Sequence, residues 1–348
     1  MEWWSNGMHI LILVIFMFID SLKVSRDAAA PPYKYHHTKD GFRNENLAVR
    51  QPGFNTMFPF IARKLWDNLK ENKFNLPHVE NDGEIYKMNL TNPTLTWIGH
   101  STLLLQFDGI NFITDPVWSK RIGPVTPFDV PRLNKPGLEI SKLPSIDFVL
   151  ISHDHYDHLD KETVQILAKD TSTLFIVPLK VKEILSDWGV KNIVELDWWD
   201  SYEYKGLTII CTPAQHFSGR GLKRNNTLWA SFCVIGKSKR FYYGGDSGYW
   251  KHFKQIGEKY GPFDLAAIPI GAYIPQEIMR YMHLTPAQAV DAYTDLRAVR
   301  FVPIHCGTYP LSEEPFDEPP KLLLETVKKK KLKEENFWIL KLGEVKEW

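Results

Sequence analysis

Ser145-Ile146-Asp147-Phe148-Val149-Leu150-Ile151-Ser152-His153-Asp154-His155-Tyr156-Asp157-His158-Leu159-Asp160 is the stretch on which the reading of this chain turns. Its first half is a strand. Ile146 and Phe148 to Ile151 form an almost unbroken apolar run, the pattern of a strand covered on both faces. Its second half crowds His153, His155, Asp157 and His158 together, with Asp154 among them. Such groups are costly to bury without partners. Neutral imidazole and carboxylate are also the ligands that borderline divalent metals such as zinc take. His153 and His155 are two residues apart, so in extended or loop backbone they point the same way and can grip one ion. Asp157 and His158, from the turn that follows, can grip a second. A solvated, pH-sensitive loop is the plain alternative, and the density of ligands at the end of a buried strand weighs against it.

The same arrangement returns along the chain. A strand over Leu207–Cys211 runs into His216, one over Arg240–Tyr243 into Asp246, and one over Phe301–Ile304 into His305. Residues at strand ends are where an α/β scaffold presents its chemistry. His216 completes a three-nitrogen set with His153 and His155, and His305 completes a second set with Asp157 and His158. Asp246 lies among glycines, where backbone can approach closely, and can offer one oxygen to each ion. Taken singly, His216 or His305 reads as an ordinary core or loop histidine; the ordered series carries the inference.

Between these points strands alternate with helices. Leu95–Ile98, Ser101–Phe107 and 111–116 read as strands, with Asp108-Gly109 as a hairpin turn. Helices are expected over Lys161–Lys169, Val181–Trp188, Trp250–Tyr260 and Thr285–Leu296, the last with Thr285 as cap and Pro286 first. A lysine-rich helix from Lys321 and a strand over Phe337–Leu342 close the chain. The proline-rich, charged span 117–144 is a long loop, of the kind that is usually functional. The expected organisation is an apolar segment at 1–30, an extension at 31–92 that packs on the core or a membrane, and an α/β catalytic domain at 93–348. The extension holds a short helix over Arg63–Asn72, and its His36 and His37 are read as solvated.

The chain has 348 residues, 44% of them hydrophobic, which is ample for a core. The net charge of +1 supplies no field to attract nucleic acid, and no basic stretch lies near the histidine cluster. Cys211, Cys233 and Cys306 are odd in number and widely spaced, so they make no disulfide framework and lean towards a reducing compartment. Residues 8–19 are nearly uniformly apolar, shorter than the roughly 20 residues of a full membrane span. They fit a signal-like core or short anchor. Lysines and arginines lie only on their C-terminal side, which would keep the body of the protein on the cytoplasmic face of an internal membrane; secretory entry through this segment is the alternative.

The spacing His-x-His-x-Asp-His resembles the defining motif of the metallo-β-lactamase superfamily. Further stretches resemble the N-acylphosphatidylethanolamine-hydrolysing phospholipase D family within it: Trp97-Ile98-Gly99-His100-Ser101, Glu195 to Trp199, Thr212 to His216, Gly245 to Tyr249, Gly261 to Tyr273 and Ile304 to Thr308. The resemblance covers about residues 90 to 345. It implies an αββα sandwich of two packed mixed sheets flanked by helices. It also implies two Zn2+ ions held by His153, His155, Asp157, His158, His216, Asp246 and His305. The implied reaction turns a membrane phospholipid into N-acylethanolamine and phosphatidic acid, by attack of a hydroxide held between the metals. Asp246, Asp157 and His283 would be catalytic, and Tyr273 with His283 would touch substrate. His100 and Asp115 would orient the ligands. Cys306 stands where a tryptophan is expected in that family. The partners expected are the phospholipid, a membrane surface and a second copy of the chain in a homodimer, with no nucleic acid. A thioesterase or lactonase on the same fold, and a lipid-binding membrane protein without turnover, are the rival readings.

Overall fold

The structure is a computed structural model. It describes residues 24–25, 34–49, 59–60, 63–64, 74–89, 92–124, 129–220 and 223–348. The apolar run 8–19 and most of the helix expected over 63–72 lie outside the described residues.

In chain order the strands are β1 (Val24–Ser25), β2 (Thr94–Gly99), β3 (Thr102–Phe107), β4 (Ile110–Thr114), β5 (Arg121–Ile122), β6 (Val130–Pro131), β7 (Phe148–Leu150) and β8 (Leu174–Pro178). They continue with β9 (Ile193–Leu196), β10 (Ser201–Tyr204), β11 (Leu207–Thr212), β12 (Ser231–Ile235), β13 (Arg240–Tyr243), β14 (Leu265–Pro269), β15 (Arg300–Ile304) and β16 (Val345–Glu347). The helices are α1 (Glu84–Met88), α2 (Lys161–Leu167), α3 (Val181–Asp187), α4 (His252–Tyr260), α5 (Gln276–Met279), α6 (Pro286–Asp295) and α7 (Glu318–Lys329). One seven-stranded sheet runs β16-β2-β3-β4-β7-β8-β9, the other β1-β10-β11-β12-β13-β14-β15. Each is antiparallel in one half and parallel in the other. Parallel neighbours need crossovers; the loop 115–147, α2 and α3 supply them in the first sheet and α4 to α6 in the second.

The apolar runs are explained by burial on both faces. Phe148 and Leu150 of β7 join the core between the sheets, with Phe112 and Leu105 on one side and Phe232, Phe241 and Leu265 on the other. The rings of Phe112 and Phe148 stack at 4.7 Å. Val149 and Ile151 alternate to the opposite face and meet Val164 and Leu167 of α2 and Val181 and Leu185 of α3. On the second sheet Tyr242, Ala266, Ile268 and Phe301 face out against Phe253 and Ile256 of α4, Val290 of α6 and Leu323 and Val327 of α7. The result is the expected αββα sandwich.

Several boundaries move. Thr285 caps α6 as read, its side chain accepting from Gln288 N while Gln288 reaches back to the cap. The final helix begins at Glu318, three residues before Lys321, because Pro319 and Pro320 suit a first turn. The strand expected over Leu228–Ile235 begins only at Ser231. The strand expected over Phe337–Leu342 is not regular. Phe337 and Leu342 make single bridges, to Phe301 and to His78, and bury as coil. The closing strand is the charged β16, paired with β2 at the sheet edge, where charge discourages further pairing. The loop 117–144 holds the small β5–β6 ribbon.

Phe148→Ala should remove a fully buried ring from the inter-sheet core and cost about 3–5 kcal/mol, read from the shift of a denaturant midpoint. Ile166→Ala on exposed α2 surface should change stability by less than about 0.5 kcal/mol.

Candidate metal centre

The end of β7 is tied down before the histidines begin. Ser152 N donates to Asp115 Oδ1 at 2.6 Å and Ser152 Oγ to Asp115 Oδ2 at 2.5 Å. Asp115 follows β4 with φ 30°, so its carboxylate turns under the neighbouring strand. From there residues 155–159 form a tight turn, with His158 N and Leu159 N both donating to His155 O. That turn aims His153 and His155 one way and Asp157 and His158 the other.

Two groups result. In the first, His155 Nδ1 lies 2.8 Å from His153 Nε2 and 3.3 Å from His216 Nε2. In the second, Asp157 Oδ2 lies 3.2 Å from His158 Nε2, 3.2 Å from His305 Nε2 and 2.9 Å from His100 Nε2. Asp246 Oδ2 lies between the groups, 3.1 Å from His305 Nε2, 3.3 Å from His158 Nε2 and 3.6 Å from His216 Nε2. Gly245 makes this approach possible: its φ is +54°, and a Cβ there would meet the Ser152 side chain at 2.6 Å. His216 follows β11, Asp246 follows β13 and His305 follows β15, so side chains distant in sequence meet at one end of the sandwich.

The outer hydrogen bonds fix which ring nitrogen faces inward. Ser152 Oγ donates to Asp115 and so accepts from His153 Nδ1, at 2.9 Å. His216 Nδ1 donates to Met282 O at 3.0 Å, and His158 Nδ1 donates to Asp115 at 2.6 Å. The inward atoms of His153 and His216 are therefore lone pairs directed at His155. Tyr243 OH donates to the same Asp115 oxygen at 2.5 Å. Asp115 thus orients His158, as expected, and His100 braces Asp157.

Electrostatics divide the groups. Burial, with neighbouring imidazoles, holds His153 well below the ordinary histidine value; burial likewise depresses His155 and His216. All three stand as neutral bases. His158 is raised well above the ordinary value, and His305 to about 9, because Asp246 and Asp157 outweigh the burial that opposes them. Against the same burial, His158 and its neighbours hold both carboxyls well below the usual range.

These residues fit a pair of divalent cations. The donor set is imidazole and carboxylate. The inward nitrogens of His153 and His216 close to 2.8 Å and 3.3 Å of His155 Nδ1. Among the described residues, the ion-pair partners of Asp157 and Asp246 are all histidines. His158 Nε2 and Asp246 Oδ1 are buried without a hydrogen-bond partner. Converging buried lone pairs and an orphaned carboxylate oxygen are satisfied together by cations.

His283 stands beside the groups. Its ring lies 5.2 Å from those of His216 and His305, and its Nδ1, 3.9 Å from Asp246 Oδ2, has no hydrogen-bond partner. Burial lowers it to about 4. Tyr273 is elsewhere engaged, its hydroxyl donating to Glu318 Oε1 at 2.5 Å. Cys306 is half-buried next to His305, its thiol pushed up to about 12 by burial. His36 is not solvated as expected, whereas His37 is exposed. His36 is buried, and both rings donate to Asp197, at 2.6 Å and 2.8 Å. The polar composition of their segment hid this. A buried partner such as Asp197 more than 150 positions away leaves no local signal.

Comparison with known proteins places the fold in a family. Residues 110–306 match the family described as a β-lactamase superfamily domain. An uncharacterized protein of Mycobacterium tuberculosis is 46% identical over 245 residues, 69% of this chain and 65% of its own length. The chain therefore spans less than two thirds of that relative. A Caenorhabditis elegans protein named N-acyl-phosphatidylethanolamine-hydrolyzing phospholipase D 1 is 41% identical, over 72% of this chain and 74% of its own. A metallo hydrolase of the archaeon Ignicoccus hospitalis shares the fold with a TM-score of 0.57, at 23% identity, over 74% of this chain and 99% of that one. The chain belongs to the β-lactamase superfamily of metal-dependent hydrolases. Two of its relatives, in Caenorhabditis elegans and Saccharomyces cerevisiae, are named as N-acyl-phosphatidylethanolamine-hydrolyzing phospholipases D.

A proton on His305 in the metal-free chain must leave before that nitrogen can bind a metal. Metal affinity should therefore rise with pH up to about 9 and level off above. Calorimetric titration in buffers of different ionisation enthalpy should show proton release at pH 7.5; a pH-independent affinity would contradict it. The sign for stability is the reverse. The raised His305 stabilises the metal-free fold fully below its unfolded value near 6.5, and that contribution is lost as pH climbs through about 9.

Asp115→Asn should confront the Ser152, His158 and Tyr243 donors with an amide that cannot accept from them all. Metal affinity should fall about 10- to 100-fold, measured by chelator competition.

Proposed function

We propose that this protein is a zinc-dependent phosphodiesterase of the phospholipase D type, hydrolysing N-acylphosphatidylethanolamine to N-acylethanolamine and phosphatidic acid. The observation that carries the reading is the pair of facing ligand groups with Asp246 Oδ2 between them. The 41% identity to a relative named for this activity supports the substrate class.

His153, His155 and His216 would hold one ion, and Asp157, His158 and His305 the other, with Asp246 shared. Two such ions, when bound, supply a water ionised near neutral pH and neutralise charge on the phosphoryl oxygens. The chain's own residues do the rest. Asp115, Ser152 and Met282 O fix the outer nitrogens, so the inner ones keep their lone pairs where ligands are needed. His100 holds Asp157 in place against rotation. His283, titrating at about 4, is a neutral imidazole at physiological pH. It orients the substrate phosphate by hydrogen bonding. Tyr273 supports the loop after β14 through Glu318 and does not bind substrate in this reading.

The lipid would be presented at a membrane surface. No helix among the described residues is long and apolar enough to cross a membrane.

The test is product analysis by mass spectrometry on vesicles containing N-acylphosphatidylethanolamine, with thioesters and lactones assayed alongside. Release of both products, reduced at least about 100-fold in Asp246→Asn, is expected, since the metals contribute several kcal/mol. Unchanged lipid turnover in that variant, or turnover of thioesters or lactones alone, would overturn the assignment.

A further inference from the structure

The segment 34–49 reaches the metal groups from outside the sandwich. Asn44 Oδ1 accepts from His216 N at 3.0 Å, and Asn44 Nδ2 donates to His216 O at 2.7 Å. One side-chain amide thus binds both main-chain polar groups of a single residue, and that residue carries a nitrogen of the three-histidine group. The pairing is directional: the end that meets N–H must accept and the end that meets C=O must donate, which an amide does and a carboxylate or a hydrocarbon does not. Next to it, Asn46 Nδ2 donates to Gln215 Oε1 at 3.1 Å, and Gln215 Nε2 to Tyr281 O at 2.9 Å.

The segment is held on both sides of Asn44. His36 and His37 grip Asp197, and Lys34 Nζ pairs with the same carboxylate at 2.9 Å. Phe42 is buried in the inter-sheet core, and its N–H donates to Asn225 O at 2.7 Å. Glu45 pairs with Lys251 at 2.6 Å. Asn44 is therefore presented to His216 by an anchored strand of chain, not by a free tail.

We propose that Asn44 is a positioning residue for the metal centre, setting the placement of His216 through its main chain and so the occupancy of the three-histidine group. This rests on the metal-ligand reading above. A side chain that orients a ligand typically changes metal affinity about 10- to 100-fold when removed.

The test is Zn2+ binding by the full chain, in competition with a chromophoric chelator, with near-UV circular dichroism recording the fold. Wild type should bind two equivalents. Asn44→Ala should lose affinity for one equivalent about 10- to 100-fold and keep the other. Asn44→Asp, which retains the acceptor and loses the donor, should show a loss of the same kind. Lys87→Ala, which breaks only an exposed pair with Glu84 on α1, should match wild type. Two equivalents at wild-type affinity in Asn44→Ala would overturn the role of Asn44 and leave the metal reading standing. So would equal weakening of both equivalents together with loss of the near-UV signal in both Asn44 variants, which would mark a merely structural contact. A wild-type chain that binds no Zn2+ would remove the metal reading and this proposal together.

Discussion

Everything at this end of the sandwich depends on the fate of one buried carboxylate. Asp246 lies 3% exposed, with one oxygen among His158, His216 and His305 and the other without a partner. A carboxylate so placed cannot remain ionised without positive charge close by. In the metal-free chain the proton retained by His305 answers part of that demand. A pair of divalent cations would answer all of it, and would also relieve the crowded lone pairs of the three-histidine group. Those histidines stand neutral, which is the form that binds metal.

The sandwich makes this burial tolerable. The ligand-bearing loops leave β7, β11, β13 and β15 at strand ends, where chain can turn freely, while the strands beneath are locked by apolar packing on both faces. Asp115 joins β4, β7 and β13 beneath the site by accepting from Ser152, His158 and Tyr243. The fold and the site are thus continuous, since the carboxylate that pins the strand ends also fixes a ligand's tautomer.

Much of this was legible because it is written locally. A strand buried on both faces announces itself as an apolar run, and Phe148 to Ile151 lead directly into His153 and His155. The caps of α6 were readable for the same reason. The convergence of His216, Asp246 and His305 on that turn was inferable from their repeated place at strand ends. What was not legible depends on partners far along the chain. His36 looks solvated until Asp197 is seen beside it. Asn44 is an ordinary polar residue until His216 is found on it. The coil from Phe337 to Leu342 has a strand's composition, and only its packing reveals that it does not pair as one.

The most direct test of the central claim is anomalous diffraction at the zinc edge from crystals of the chain grown with Zn2+. The account predicts two peaks, one within the His153, His155 and His216 group and one within the Asp157, His158 and His305 group, with Asp246 between them. Crystals that show no peak there, or Asp246 turned away from metals bound elsewhere, would contradict it.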